Sequence, residues 1–199
     1  MKKSDITREK LLNAATSAFC ERSYTHVPLR EIAAQAQVDV ALISRYFGNK
    51  RGLFNAVLDH TLDWPELVAS SDPIGVAIAK YTGPNASDAH MGVVRLIVLN
   101  GADPDVGDLL RERLHDRLII PMLERMGGSE NAPRLALFIA VTLGAAMVRH
   151  TLKLPSMADA TAQEYGQQLR HIMEAALSYS SAPDTASQVV NEKAAPKGG

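Results

Sequence analysis

The sequence has a single cysteine, Cys20, in 199 residues, so no disulfide can close within the chain. Aromatic residues make up only 5% of it, while alanine is plentiful, a balance that favours helices. No stretch alternates apolar and polar residues between turn signals in the manner of a strand. These absences point to an all-α chain. No apolar signal segment follows Met1-Lys2-Lys3. The longest apolar run, Leu135 to Val148, is shorter than a membrane span and contains Thr142 and Gly144. A cytoplasmic protein with no membrane partner is expected. The histidines, His26, His60, His90, His115, His150 and His171, form neither a His-x-x-x-His nor a His-Glu-x-x-His pair, and no phosphate-binding loop, nucleophile elbow or Cys-x-x-Cys is present. Neither a metal site, a cofactor nor a catalytic residue is expected. A helical enzyme and a dedicated metal or redox sensor are therefore the weaker readings.

Net charge is almost lacking too, −1 over the whole chain, but it is unevenly spread. Residues 1–55 carry nine Lys and Arg against five Asp and Glu, net +4, and the remainder carries twelve against seventeen, net −5. A basic head on an acidic body fits DNA binding by the head.

The head contains the most informative stretch. Leu29 to Ala36 reads as a short helix with Ile32, Ala33 and Ala36 on one apolar face. Gln37-Val38-Asp39 breaks it, and Asp39 suits the N-cap of a second short helix in which Ile43 and Phe47, four apart, point inward. Val40, Ala41, Leu42, Ser44, Arg45 and Tyr46 are left facing outward. Two short helices around a tight turn with a buried valine make a helix-turn-helix. In a major groove Arg45 can bond guanine O6 and N7 together, and the short side chains favour thymine methyls. Tyr46 ends the recognition helix within reach of a phosphate. Asn49 caps a further helix from Lys50, whose N-terminus and ammonium both suit a phosphate. Arg30, on the first of the two helices, completes the expected set of DNA contacts.

Residues 7–58 resemble the N-terminal domain of the tetracycline-repressor (TetR) family of bacterial transcriptional regulators. The likeness is carried by Arg8 to Ala15, Phe19 to Tyr24, Leu29 to Ala33, Val38 to Lys50 and Leu53. It implies a three-helix DNA-binding head, joined by a fourth helix to a helical body that binds a small effector and dimerises. It also implies a repressor on a pseudopalindromic operator, released when the effector moves the fourth helix. Control by a protein partner without a small ligand is the alternative. The family usually has glycine where this chain has Ser23 and Gln37, and a non-glycine residue in a left-handed turn costs on the order of 1 kcal/mol, so either those turns are slightly strained or their geometry differs. The family often has a polar or basic residue at Val40, Thr at Leu42 and Tyr at Ser44, so those differences bear on which DNA site is read.

Three divisions are expected: a head over 1–58, an effector-binding and dimerising body over 59–179, and a disordered tail over 180–199 that is low in apolar content. The first helix should run from about Thr7 to Tyr24, on a stripe of Leu11, Ala15 and Phe19. The fourth should run from Lys50 to Asp63. Trp64-Pro65 and Ser70 to Pro73 read as a break. Body helices follow over 74–81, 88–99, 105–126 with Pro121 bending it, 132–152 and 162–179. A small-residue stripe, Ala136, Ala140, Gly144 and Val148, lets another helix approach closely. Tyr165, Leu169, Ile172, Met173, Ala176 and Leu177 form a second apolar stripe. In the resemblance these last two helices build a four-helix homodimer interface. Met91, Arg95, Leu114, Met122, Phe138, Thr142, Met147 and His150 are the candidates to line an effector cavity.

Overall fold

The computed structural model describes residues 3–82, 88–155 and 160–179, and these form helices and turns with no strand among them. The head holds α1 (Lys3–Glu21), α2 (Leu29–Gln35), α3 (Ala41–Phe47) and α4 (Lys50–Thr61). The body holds α5 (Pro65–Ala69), α6 (Pro73–Thr82), α7 (Asp88–Asn100), α8 (Gly107–Leu114), α9 (Ile120–Met126), α10 (Ala132–Ala146) and α11 (Ala162–Ser178). The tail expected to be disordered lies outside the described residues.

Several boundaries differ from expectation for local reasons. α1 already begins at Lys3, and Tyr24 falls in a separate 3-10 turn, Tyr24–His26. Trp64-Pro65, read as a break, starts α5 instead, with Pro65 in the first turn. A proline there loses no helical bond, since that N–H has no partner in any helix. The rod expected over 105–126 is α8 and α9 joined by a π turn, His115–Ile119, in which the Ile120 N–H reaches the His115 carbonyl. The wider turn lies directly before Pro121, which has no N–H to continue the ladder. A second π turn, Met147–Thr151, extends α10. The helical stretch Ser129–Thr151 is 23 residues long with an apolar window of mean hydropathy 1.5, long enough to cross a membrane, which the shorter apolar run did not suggest. Its Leu135 and Phe138 are buried in the same core as Tyr165, Leu169 and Met173 of α11.

Two apolar cores organise the chain. The first holds Leu11, Phe19, Ile32, Ile43, Leu53, Phe54 and Val57 of the head, and continues into Leu96 of α7 and Val106 and Leu110 beside and within α8. Phe19, Tyr24 and Phe54 form its aromatic centre. Phe54 meets the other two edge-on, with centroids 5.1 and 5.3 Å away, a geometry that aligns ring edge with ring face. The second core holds Leu67, Ile74, Leu118, Met122, Leu135, Phe138, Tyr165, Leu169 and Met173. Because the first core spans head and body, α4 and α7 are packed into one unit, and a shift in either is felt by the other.

Candidate nucleic-acid interface and body cavity

The turn between α2 and α3 is built by backbone geometry. Gln37 sits at φ +56°, in the left-handed region. Its N–H reaches the Ala34 carbonyl at 3.0 Å, and the Val38 N–H reaches Ala33 at 3.0 Å. This is a Schellman ending, which normally takes glycine at the left-handed position. Val38, half-buried, packs on the head core and closes the motif with an apolar contact. Ser23, the other expected glycine position, lies at φ −63° and ψ 152°, ordinary extended backbone. Of the two alternatives, a strained turn or a different geometry, Gln37 shows the first and Ser23 the second.

α3 begins at Ala41 with Val40, not Asp39, at its cap position, one residue later than expected. The Asp39 carboxylate accepts the Ala41 N–H at 2.7 Å. Ile43 is fully buried and Phe47 half-buried, with the Arg8 guanidinium over its ring at 5.2 Å. Val40, Ala41, Ser44 and Arg45 are exposed, Leu42 and Tyr46 half-buried, and Arg30 is exposed on α2. Arg45 lies 6.0 Å from the Tyr46 ring centroid and forms no ion pair among the described residues.

Asn49 caps α4 as expected, its side-chain oxygen accepting the Gly52 N–H at 2.8 Å. Sequence reading passed over Gly52 itself. A Cβ there would lie 2.0 Å from the Phe47 carbonyl oxygen, so only glycine lets the end of α3 fold onto the first turn of α4. Lys50 is half-buried, with its ammonium 4.4 Å from the Tyr24 ring centroid. Burial lowers its pKa, against the opposing pull of Asp103 and Asp105. The neighbouring Arg51 donates to the Asp105 carbonyl. The start of α4 thus faces the α7–α8 loop as well as solvent.

That loop and the end of α7 bind the head. Asn100 is completely buried. Its oxygen accepts the Tyr24 N–H at 2.6 Å, and its amide donates to Leu96 at 2.8 Å and to Phe19 at 3.4 Å. Asp103 accepts from the Thr25 hydroxyl at 2.8 Å, and Arg95 donates to the Cys20 carbonyl at 3.3 Å. α7 crosses α1 closely at Gly92, where a Cβ would stand 3.2 Å from the Cys20 sulfur. Burial drives the Cys20 thiol up to about 11, so at neutral pH it is a packed, protonated group and a poor nucleophile.

The body encloses a cavity of about 130 Å³ between α6, α7, the α8–α9 rod and α10. Four of the candidates line it: Leu114, Met122, Phe138 and Thr142. The other four do not. Met91 is buried with Val94 and Ala146, and Met147 packs on that cluster. Arg95 points to the head, and His150 is half-buried on the second π turn outside the cavity. Lining residues that sequence reading missed include Trp64, Lys80, His90, Val93 and Ile97. Thr142 donates to the Phe138 carbonyl at 2.8 Å, which leaves its oxygen lone pairs able to accept. On the outer side, Ala140, Gly144 and Val148 of the α10 stripe share an apolar surface groove with Leu169 and Ile172 of α11. Ile172, one of the α11 stripe, is 48% exposed there.

Comparison with known proteins agrees with this geometry. Residues 11–57 match the profile described as bacterial regulatory proteins of the tetR family, and residues 72–177 match that of a tetracyclin repressor-like C-terminal domain. The HTH-type transcriptional repressor Rv3405c of Mycobacterium tuberculosis is 46% identical over 50 residues, 25% of this chain and 27% of that protein. That likeness spans about a quarter of the relative's length. The HTH-type transcriptional regulator BetI of Brucella anthropi is 27% identical over 173 residues, covering 79% of this chain and 89% of that protein. Among solved structures, NalD of Pseudomonas aeruginosa, the secondary repressor of the MexAB-OprM multidrug efflux pump, superimposes with a TM-score of 0.64 at 21% identity, covering 87% of this chain and 97% of its own. A TetR-family regulator from Streptomyces coelicolor gives 0.60 at 20% identity, covering 90% of this chain and 98% of that one.

Proposed function

This chain belongs to the tetR family of bacterial regulatory proteins, and from that premise we propose that it is a cytoplasmic repressor, working as a homodimer and released from a duplex operator by a small molecule in the body cavity. It is a transcriptional regulator with a DNA-binding domain, and its relatives are regulators rather than enzymes. The finer reading concerns the division of labour: residues 1–58 hold DNA, residues 59–179 hold the effector and the second protomer, and α7 joins the two tasks.

The observation that carries the reading is the double use of α7. His90, Val93, Val94 and Ile97 line the cavity, while Arg95 and Asn100 on the same helix bond to the head. A ligand that displaces the cavity face of a rigid helix displaces its bonded end, and packed interfaces respond in discrete steps. Coupling of this kind is worth about 1–3 kcal/mol, or roughly 5–150-fold in operator affinity.

On DNA, the exposed face of Val40, Ala41, Ser44 and Arg45 supports groove reading, and Arg30, Tyr46 and the first turn of α4 supply phosphate contacts. Selection from a random duplex library, followed by anisotropy titration, tests the proposal. Two inverted half-sites are expected, with a log K against log salt slope of roughly −4 to −7 for a dimer neutralising several phosphates. Arg45→Ala should relax preference at one base pair in each half-site, at a loss of about 1–3 kcal/mol of discrimination. No enriched motif and a flat salt dependence would overturn duplex recognition. An unchanged motif with uniformly weaker binding would make Arg45 a phosphate contact.

A further inference from the structure

The charge on the cavity wall narrows its occupant. The wall is mainly hydrocarbon, and the ionisable side chains that line it are Lys80 and His90. Both also line the wider groove between α1 and α7, as do Trp64 and Val93, so they stand where cavity and groove meet. The carboxylates of Glu21, Asp63 and Asp88 line that groove but not the cavity. Lys80 is half-buried and forms no ion pair among the described residues.

The chemistry follows from that arrangement. A bare hydrocarbon cavity of this size accepts a neutral ring, since an apolar cavity of about 150 Å³ holds a benzene. A cation at its rim changes the choice. An ammonium partly withdrawn from water gains from an anion that keeps its own far side hydrated, and loses from a second cation. The volume admits one six-membered ring, so the charge must belong to a short substituent.

We propose that the effector is a small apolar monoanion of benzoate size. Its ring fills the cavity against Phe138 and Met122, and its carboxylate lies at the rim on Lys80 and His90. The proposal rests on the reading of this cavity as the effector site.

The test is calorimetric titration of the full chain with three probes of one shape: benzoate, benzyl alcohol and benzylamine. The same titrations are run on Lys80→Met, which keeps the apolar stem, on Lys80→Arg, which keeps the charge, and on Val93→Phe, which fills the cavity. Circular dichroism confirms that each variant is folded. The wild type should bind benzoate at least tenfold more tightly than benzyl alcohol, with benzylamine weakest. Lys80→Met should abolish that preference while leaving benzyl alcohol unchanged, Lys80→Arg should restore it, and Val93→Phe should abolish binding of all three. If benzyl alcohol or benzylamine binds as well as benzoate, or if Lys80→Met keeps the preference, the anion assignment falls and the cavity reading stands. If no probe binds the wild type, or if benzoate binding survives Val93→Phe, both fall.

Discussion

At the residue scale, the two positions where glycine was expected have opposite physics. Gln37 carries a side chain in left-handed backbone at φ +56°, a strain of roughly 1–2 kcal/mol that glycine does not suffer. Part of the gain from removing it is lost to the freedom glycine has in the unfolded chain. Gln37→Gly should therefore stabilise by about 0.5–1 kcal/mol, raising Tm by roughly 1–4 °C for a chain of this length. Ser23→Gly should do the reverse by a similar amount, because extended backbone at φ −63° relieves nothing and the Ser23 hydroxyl bond to His26 at 2.8 Å is lost. Thermal melts of the two variants in parallel check both signs. The same loss or gain in both would mean that turn geometry is irrelevant to either effect. Asn49 was legible as a cap because a capping side chain bonds within three residues of itself, whereas the cap position of α3 falls on Val40, one residue past Asp39. Gly52 was not legible, since the carbonyl that excludes its Cβ belongs to the preceding helix.

At the scale of elements, α7 both lines the cavity and bonds to the head, and Asn100 is its fastening. An asparagine before glycine reads in sequence as the end of a helix. Here it is buried, and its partners Tyr24 and Phe19 lie 76 and 81 residues away. Asn100→Ala leaves the Tyr24 N–H without that acceptor in the core, at a cost of about 1–3 kcal/mol, or roughly 3–10 °C in Tm. Val98→Ala, at a position 48% exposed on the same helix, should change stability by less than about 0.5 kcal/mol. Hydrogen exchange at the Tyr24 amide should rise in the first variant and not in the second. Equal behaviour of the two would mean that Asn100 does not hold the head. The π turn before Pro121 belongs to this scale as well. A proline was expected to bend the rod, but the wider turn that accommodates it, and that places Leu118 and Ile119 on the cavity wall, depends on packing against the neighbouring helices.

At the scale of the whole molecule, the small-residue stripe of α10 lies on the surface. A Cβ added at Gly144 meets nothing within 4 Å in the protomer, so Gly144→Leu, on the exposed face of α10, should leave the isolated fold unaltered to within about 0.5 kcal/mol. In a two-fold dimer packed through α10 and α11 the same leucine appears twice at the contact. Overpacking there costs about 1–3 kcal/mol, a weakening of roughly 5–150-fold in self-association. Sedimentation equilibrium on the wild type and the variant measures this. A wild type that is monomeric at micromolar concentration, or a variant that associates equally well, would remove α10 from the interface.

The sequence by itself determined the helix-turn-helix, the cap at Asn49, the all-helical class and the family. Those signals are local: a side chain and the backbone it caps are neighbours along the chain, and an apolar stripe repeats every three or four residues whatever it packs against. The tertiary structure decided the cavity and the fastening of the head. Met91 and Val93 are near neighbours on one apolar helix, yet only Val93 lines the cavity. That difference depends on how α7 is rotated against α6 and α10, which no periodicity records. Lys80 and His90 reach the same rim from two helices, and Asn100 meets the head across most of a hundred residues. Such meetings depend on how whole helices pack, because the residues involved are brought together only when the cores close.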